Sequence, residues 1–231
     1  MRVAVVTVGD ELLSGDTENT NATWLCRRLT DRGATVERVL TVPDRVGDIA
    51  QEVNEARAAY DAVVVTGGLG PTHDDLTMEG VAAAVGRAVE ANPEAEAWLT
   101  DRGGYSETDL APGTTHLPAG CRVLHNEVGV APGCVVESVY VLPGVPEEMK
   151  AMFEQVAPEF TGTVRHVRVV EVAEPESSLV GRFADLRERY DVTVGSYPGE
   201  TVSVKISGPD EETVEEAARW LADRVESPRE R

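Results

Sequence analysis

A chain of 231 residues is long enough for one large domain and a small companion, and no stretch reaches the roughly 18 consecutive apolar residues of a membrane span. Its 41 acidic residues against 21 basic ones leave a net charge of −20, with lysine only at Lys150 and Lys205, which excludes a general nucleic-acid binder.

Val3 to Val8 is an almost unbroken apolar run, too short and wrongly flanked for a secretory signal, and it reads as a strand covered on both faces in a cytoplasmic protein. Ala22, Leu25, Cys26 and Leu29 then repeat at helical spacing, with Asn19, Thr20 or Asn21 as cap and Gly33 as stop. Val36 to Val42 predicts a second strand, Ile49, Val53, Ala56 and Tyr60 one face of a second helix, and Ala62 to Thr66 a third strand. That strand runs into a glycine-rich loop, and Val81 and Val85 predict a helix starting near Asp75 to Met78. Strand and helix alternate, so right-handed crossovers and a doubly wound, mostly parallel α/β sheet follow.

Asn92-Pro93 is a cap followed by proline at the first helical position, opening a helix through Trp98 and Leu99 that stops at Gly103. Tyr105 to Gly120 has no clear period. Cys121 to His125, Cys134 to Glu137 and Val139 to Leu142 read as short strands, and Pro146 opens a helix carrying Met149, Met152, Phe153 and Val156. The first domain is expected to span residues 1–160. From Val164 the order is strand (to Val172), helix (Leu179, Phe183, Leu186, Tyr190), strand (Val192 to Tyr197), strand (Val202 to Ser207) and helix (Val214, Ala217, Leu221, Val225). This predicts a small α+β domain over 164–226, with Pro198-Gly199-Glu200 as a hairpin turn and a frayed tail at 227–231.

The acidic residues recur along predicted helices, as at Glu94 with Glu96 and Glu147 with Glu148, and so describe solvated faces. A high-salt cytoplasm, in which screening weakens self-repulsion, suits such a surface. Cys26, Cys121 and Cys134 lack the paired spacing of a zinc site and read as buried thiols. His73, His116, His125 and His166 share no spacing either.

The segment Gly67-Gly68-Leu69-Gly70-Pro71-Thr72-His73-Asp74-Asp75-Leu76-Thr77 leaves the carboxyl end of a buried strand and enters a helix, the place where open α/β sheets bind ligands. Gly67, Gly68 and Gly70 let backbone amides approach an anion, with Thr72 and Thr77 beside them. Asp74 and Asp75 would repel a phosphate unless a cation such as Mg²⁺ reverses the sign; alternatively Asp75 accepts hydrogen bonds from the ligand while amides alone hold the phosphate. Asp10 and Glu11 leave strand one at the same edge, as does Asp44 at the end of strand two, a position that also suits a helix cap. Two further loops, Asn126 to Gly133 and Leu142 to Met149, offer amides at Gly129, Gly133 and Gly144. No Gly-x-Ser-x-Gly elbow or P-loop lysine motif is present.

Gly9-Asp10-Glu11-Leu12-Leu13-Ser14-Gly15, Asn21, Gly67 to Thr77, Ala131-Pro132-Gly133 and Leu142-Pro143-Gly144-Val145-Pro146 together resemble the CinA (competence/damage-inducible protein A) family over nearly the whole chain. The resemblance implies a molybdopterin-binding fold shared with the MogA, MoaB, MoeA and gephyrin proteins, followed by a small KH-like domain, and a chain that ends before the amidohydrolase domain of longer members. It also implies a homo-oligomer, dimer or trimer, and a nucleotide or pterin ligand. In pterin-binding relatives, the aspartates matching Asp75 and Asp44 serve ligand binding or adenylyl transfer. CinA-type domains are associated instead with metal-dependent cleavage of pyrophosphates such as ADP-ribose. Asp74 stands where MogA carries a basic residue, which favours a metal-assisted site, and Val130 replaces a threonine common among CinA relatives. The expected function is therefore a Mg²⁺-dependent nucleotide pyrophosphatase, with Asp75, Asp74, Asp10 or Glu11 holding the metal and Asp44 orienting water or a ribose. The alternatives are a molybdopterin-binding protein and a molybdopterin adenylyltransferase.

Overall fold

A computed structural model describes residues 1–70, 72–101 and 111–228. Pro71 of the glycine-rich loop, the expected helix stop at Gly103, the start of the aperiodic stretch and the last three tail residues lie outside the described residues. The chain divides into two compact units, Met1–Gly162 and Thr163–Arg231.

In the first unit the elements follow in the order β1 (Arg2–Val8), α1 (Asp10–Ser14), α2 (Thr20–Asp31), β2 (Thr35–Val42), α3 (Val46–Ala59), β3 (Ala62–Thr66), α4 (Thr77–Val85), β4 (Val89–Ala91), α5 (Pro93–Asp101), β5 (His116–Pro118), β6 (Arg122–Leu124), β7 (Gly133–Val136), β8 (Val139–Leu142) and α6 (Pro146–Val156). The main sheet runs β2-β1-β3-β8-β7-β6. β2, β1, β3 and β8 are parallel, while β7 and β6 add an antiparallel edge. β4 and β5 pair apart from it as a two-stranded ribbon.

The apolar run of β1 has its explanation in the two layers that cover it. Val3 and Val5 pack with Leu25, Leu29, Met149 and Phe153 of α2 and α6. Ala4, Val6 and Val8 pack on the other side with Ile49, Val53 and Val81 of α3 and α4. Side chains alternate along a strand, so only a residue-by-residue apolar sequence satisfies both faces. Each fully buried valine or leucine contributes about 1.5–3 kcal/mol, which makes β1 and β3 the least dispensable strands.

Local chemistry sets the ends of the helices. Asn19 caps α2 by accepting the Ala22 N–H at 3.1 Å, and Asn92 caps α5 by accepting those of Glu94 and Ala95. Gly80, in α4, lies so close to α3 that a Cβ there would stand 2.5 Å from Ile49 Cγ2. Asp44, a candidate cap, does not cap α3, which begins at Val46 behind Arg45. Neither Asp74 nor Asp75 caps α4, whose N-cap position is Leu76.

Asp10 to Ser14 forms a short helix directly after β1. Two sequence expectations need correction. The aperiodic stretch contains β5, and its partner β4 also escaped notice, because strands of three residues are too short to show a period. Only Cys134 is buried; Cys26 and Cys121 are half-buried.

The second unit contains β9 (His166–Val172), α7 (Glu176–Arg189), β10 (Thr193–Pro198), β11 (Val202–Gly208) and α8 (Glu211–Ala222). Its antiparallel sheet runs β10-β11-β9, and Val172, Val204 and Ile206 meet Leu179, Leu186, Val214 and Leu221 of the helices. Asp210 caps α8 through the Thr213 N–H at 2.7 Å. Strand β9 begins at His166 rather than Val164.

Candidate functional site

β1 and β3 are neighbours in the sheet, yet the helices that follow them pack on opposite faces, α2 with the one layer and α4 with the other. Such a switch leaves a crevice at the carboxyl ends of the two strands. A cavity of about 230 Å³ fills it, lined by Thr7, Val8, Gly9 and Glu11 from β1 onward, Thr66, Gly67, Gly68, Asp74 and Asp75 from β3 onward, and by Glu18 to Asn21, Asp44 and Gly144.

Its floor is a polar layer built by strand register. Thr7 pairs with Thr41 on one side and Thr66 on the other, and both Thr7 and Thr66 are buried. Buried hydroxyls need partners. Thr7 Oγ1 lies 2.9 Å from Thr41 Oγ1 and accepts from Asn19 Nδ2 at 2.9 Å, while Thr66 Oγ1 donates to the Pro143 carbonyl at 2.7 Å. Asn21 Nδ2 donates to the Gly144 carbonyl at 2.7 Å, fixing α2 to the loop after β8. Among the described residues, two buried polar atoms at the margin, Asn21 Oδ1 and Thr77 Oγ1, have no hydrogen-bond partner. An unsatisfied buried group costs about 1–3 kcal/mol, so a ligand offering partners would be favoured here.

The glycines owe their identity to close approaches. Gly67 has φ +110 and presses on the end of β1, where a Cβ would stand 2.2 Å from the Val8 carbonyl oxygen. Gly68, at φ +60, faces Thr77 Oγ1 and Asp44 Oδ1. Gly70 faces the Asp75 carboxylate. The N–H of Gly67 is spent on the Leu142 carbonyl at 3.2 Å, and that of Thr72 on Asp75 Oδ2 at 3.0 Å. The Thr72 hydroxyl donates to the same carboxylate oxygen. Among the described residues, the N–H groups of Gly68 and Gly144 donate to no protein acceptor.

Asp44 is the most conditioned acid in the cavity. Its Oδ2 accepts the Asp10 backbone N–H at 2.8 Å. Burial pushes its carboxyl above the ordinary aspartate value; the Asp10 amide opposes this, and the charges of Asp10, Glu11 and Asp74 reinforce it. Adding a cation here would relieve all three repulsions at once.

The predicted residues therefore separate into groups. Asp44, Asp74, Asp75, Glu11, Asn21, Gly67, Gly68 and Gly144 line one cavity. Asp10 contributes its amide and its charge, with its side chain exposed. Gly70 lies in two adjoining clefts that open from Gly68 and Asp75. Thr72 braces Asp75, and Thr77 sits buried behind Gly68.

Two glycine expectations change. Gly129 lines one adjoining cleft, but its N–H is committed to Asn126 Oδ1 at 2.8 Å and offers nothing to an anion. Gly133 is not in a rim loop at all: it begins β7, buried, where a Cβ would stand 2.3 Å from Met152 Sδ and 2.4 Å from the Val141 carbonyl oxygen. Packing, rather than ligand access, requires glycine there. Sequence reading did not assign Thr7 or Thr66 to the site and read Asn19 only as a helix cap, although a threonine near the carboxyl end of two otherwise apolar strands was a visible signal.

Among the described residues no group of three or more His, Cys, Asp and Glu side chains is gathered for a metal, and no helix is long and apolar enough to cross a membrane. Mg²⁺ does not require such a group, because one or two carboxylates plus substrate phosphate oxygens suffice. The Asp74–Asp75 pair, the nearby Glu11 and the two free amides fit a cation that arrives with a diphosphate.

Residues 4–162 match the family described as probable molybdopterin binding domain. A protein of Archaeoglobus fulgidus is 39% identical over 99% of this chain and 100% of its own length. A CinA-like protein of Citrifermentans bemidjiense is 46% identical over 70% of this chain, which spans 41% of that longer protein. The crystal structure of the protein CinA from Thermoplasma acidophilum, 38% identical, superposes with a TM-score of 0.64 over 69% of this chain and 97% of that one. The chain therefore belongs to the probable molybdopterin-binding domain family, and within it to the CinA-like proteins.

Proposed function

We propose that the first unit hydrolyses the phosphoanhydride bond of a nucleotide of the ADP-ribose type, with Mg²⁺. The observation that carries this reading is the meeting, in one crevice, of Asp44, Asp74, Asp75 and Glu11 with the free amides of Gly68 and Gly144. Amides alone would suit any anion; carboxylates opposite them suit an anion that brings a cation.

Asp75, with Asp74 or Glu11, would hold Mg²⁺, which when bound neutralises phosphate charge and polarises the phosphoryl oxygen. Gly68 and Gly144 point N–H groups at the diphosphate and orient it. Thr72 fixes the Asp75 carboxylate, so its free oxygen is presented without a further loss of side-chain freedom on binding. Asp44 is the natural proton acceptor for an attacking water, because burial raises its proton affinity even where a cation offsets the neighbouring anions. Its bond from the Asp10 amide holds one oxygen still and leaves Oδ1 for that water.

The test is release of AMP and ribose 5-phosphate from ADP-ribose with Mg²⁺ in molar KCl. Turnover by the wild type that is lost in Asp75→Ala supports the proposal. No wild-type turnover, or full activity in Asp75→Ala, overturns it.

The family match supports a second reading, in which the same crevice holds molybdopterin without hydrolysis. Calorimetry separates the two: tight molybdopterin binding, together with no cleavage of ADP-ribose, favours the binding protein. Pterin-dependent consumption of ATP would instead mark adenylyl transfer.

A further inference from the structure

Away from the carboxylates, three sulfur-bearing side chains share one apolar cluster of the first unit. Cys134, on β7, is fully buried, and its Sγ lies 3.8 Å from Met78 Sδ on the first turn of α4. Register pairs Val123 of β6 with Cys134, which places Cys121, two residues earlier, diagonally beside it on the same sheet face. Cys121 packs against the same buried cluster that holds Cys134 and Met78. Cys121 is only half-buried and so gives the cluster a route to solvent, while Met78 also lines a cleft that opens beside Asp75.

Two thiols and a thioether form a soft donor set, of the kind that selects copper(I) over hard cations. Distance supports this too. A metal bound at about 2.3 Å to each sulfur holds its ligands roughly 3.8 Å apart in tetrahedral and 4.0 Å apart in trigonal geometry. The observed 3.8 Å separation of Cys134 and Met78 is the spacing such a metal needs between two of its ligands. We propose that Met78, Cys121 and Cys134 form a binding site for one copper(I) ion. The metal enters already as Cu(I), no electron is transferred, and the thiol protons displaced by the two new Cu–S bonds leave to solvent past Cys121. Because Met78 follows Asp75 by three residues, an occupied site would also pin the start of α4. The site stands independently of the phosphate reading.

The experiment is anaerobic titration of the reduced full chain with Cu(I), using bicinchoninate as the competing chelator. One equivalent should be withheld from the chelator, with X-ray absorption giving a sulfur-only shell at about 2.3 Å. Cys121→Ser and Met78→Leu, checked for unchanged circular dichroism, should each weaken binding on the order of 100-fold, whereas Cys26→Ser should not. Cys121 is half-exposed and Met78→Leu preserves volume, so the test survives even if Cys134→Ser fails to fold. Failure to compete with bicinchoninate, a nitrogen or oxygen shell, or equal binding in Met78→Leu and wild type would overturn the site.

Discussion

Asp44 receives the backbone N–H of Asp10 across the ends of β2 and β1, at 2.8 Å, and this bond joins two acids that are 34 residues apart in the chain. It offsets only part of the penalty on the Asp44 carboxylate. Removing that charge should therefore separate stability from activity. A raised carboxyl binds its proton more tightly folded than unfolded, so stability is lost as pH rises from the ordinary value of 3.8 through the raised one, and stays lower above it. Asp44→Asn should melt higher than wild type at pH 7 and converge with it below pH 3.8, while kcat for ADP-ribose falls by about 100-fold or more. Melting curves across pH together with single-turnover rates check both halves.

Mg²⁺ should raise Tm in the presence of a diphosphate ligand. At a ligand concentration of 100 Kd the stabilisation is about 2.7 kcal/mol, equivalent to a shift of roughly 5–10 °C for a domain of this size. Differential scanning calorimetry of Asp75→Asn should show the shift abolished. A similar shift in that variant would remove Asp75 from the cation site.

Gly80→Ala reverses the usual helix rule. Alanine in a helix interior normally gains about 1 kcal/mol over glycine. Here the new Cβ would stand 2.5 Å from Ile49 Cγ2, so α3 and α4 must separate, and a net loss of about 1–3 kcal/mol is expected in urea unfolding. Gly67→Ala combines a closer clash, 2.2 Å from the Val8 carbonyl oxygen, with positive φ, and should cost about 3 kcal/mol or more along with ligand binding.

A net charge of −20 repels itself in dilute buffer. Molar KCl also screens favourable surface pairs such as Arg2–Glu37 and Arg28–Glu154, but exposed pairs contribute only about 0–1 kcal/mol each. Relief of repulsion should win. Tm is expected to rise by several degrees between low salt and molar KCl, a window over which the Debye length shrinks from about 30 Å to 3 Å. A flat or falling profile would contradict a high-salt adaptation.

Elements whose burial follows a local pattern could be read directly from the sequence. The apolar run of β1, the bounds of β3 at Ala62 and Thr66, the Asn92 cap and the Met149, Met152, Phe153, Val156 face of α6 were all legible, because each repeats at the period of its own structure. It also located the glycine-rich loop at a strand end. Convergence, by contrast, is a property of the folded chain. The order β2-β1-β3 brings the ends of three strands together, and this is why Asp44 meets Asp10, why Thr7 sits level with Thr66, and why Asn21 reaches the Gly144 carbonyl 123 residues away. The same long-range packing gave Gly133 to Met152 rather than to a ligand, and set the Cys134 thiol against Met78. Periodicity encodes which face of an element is buried; which other element buries it depends on contacts between residues far apart in the chain, and those leave no local pattern.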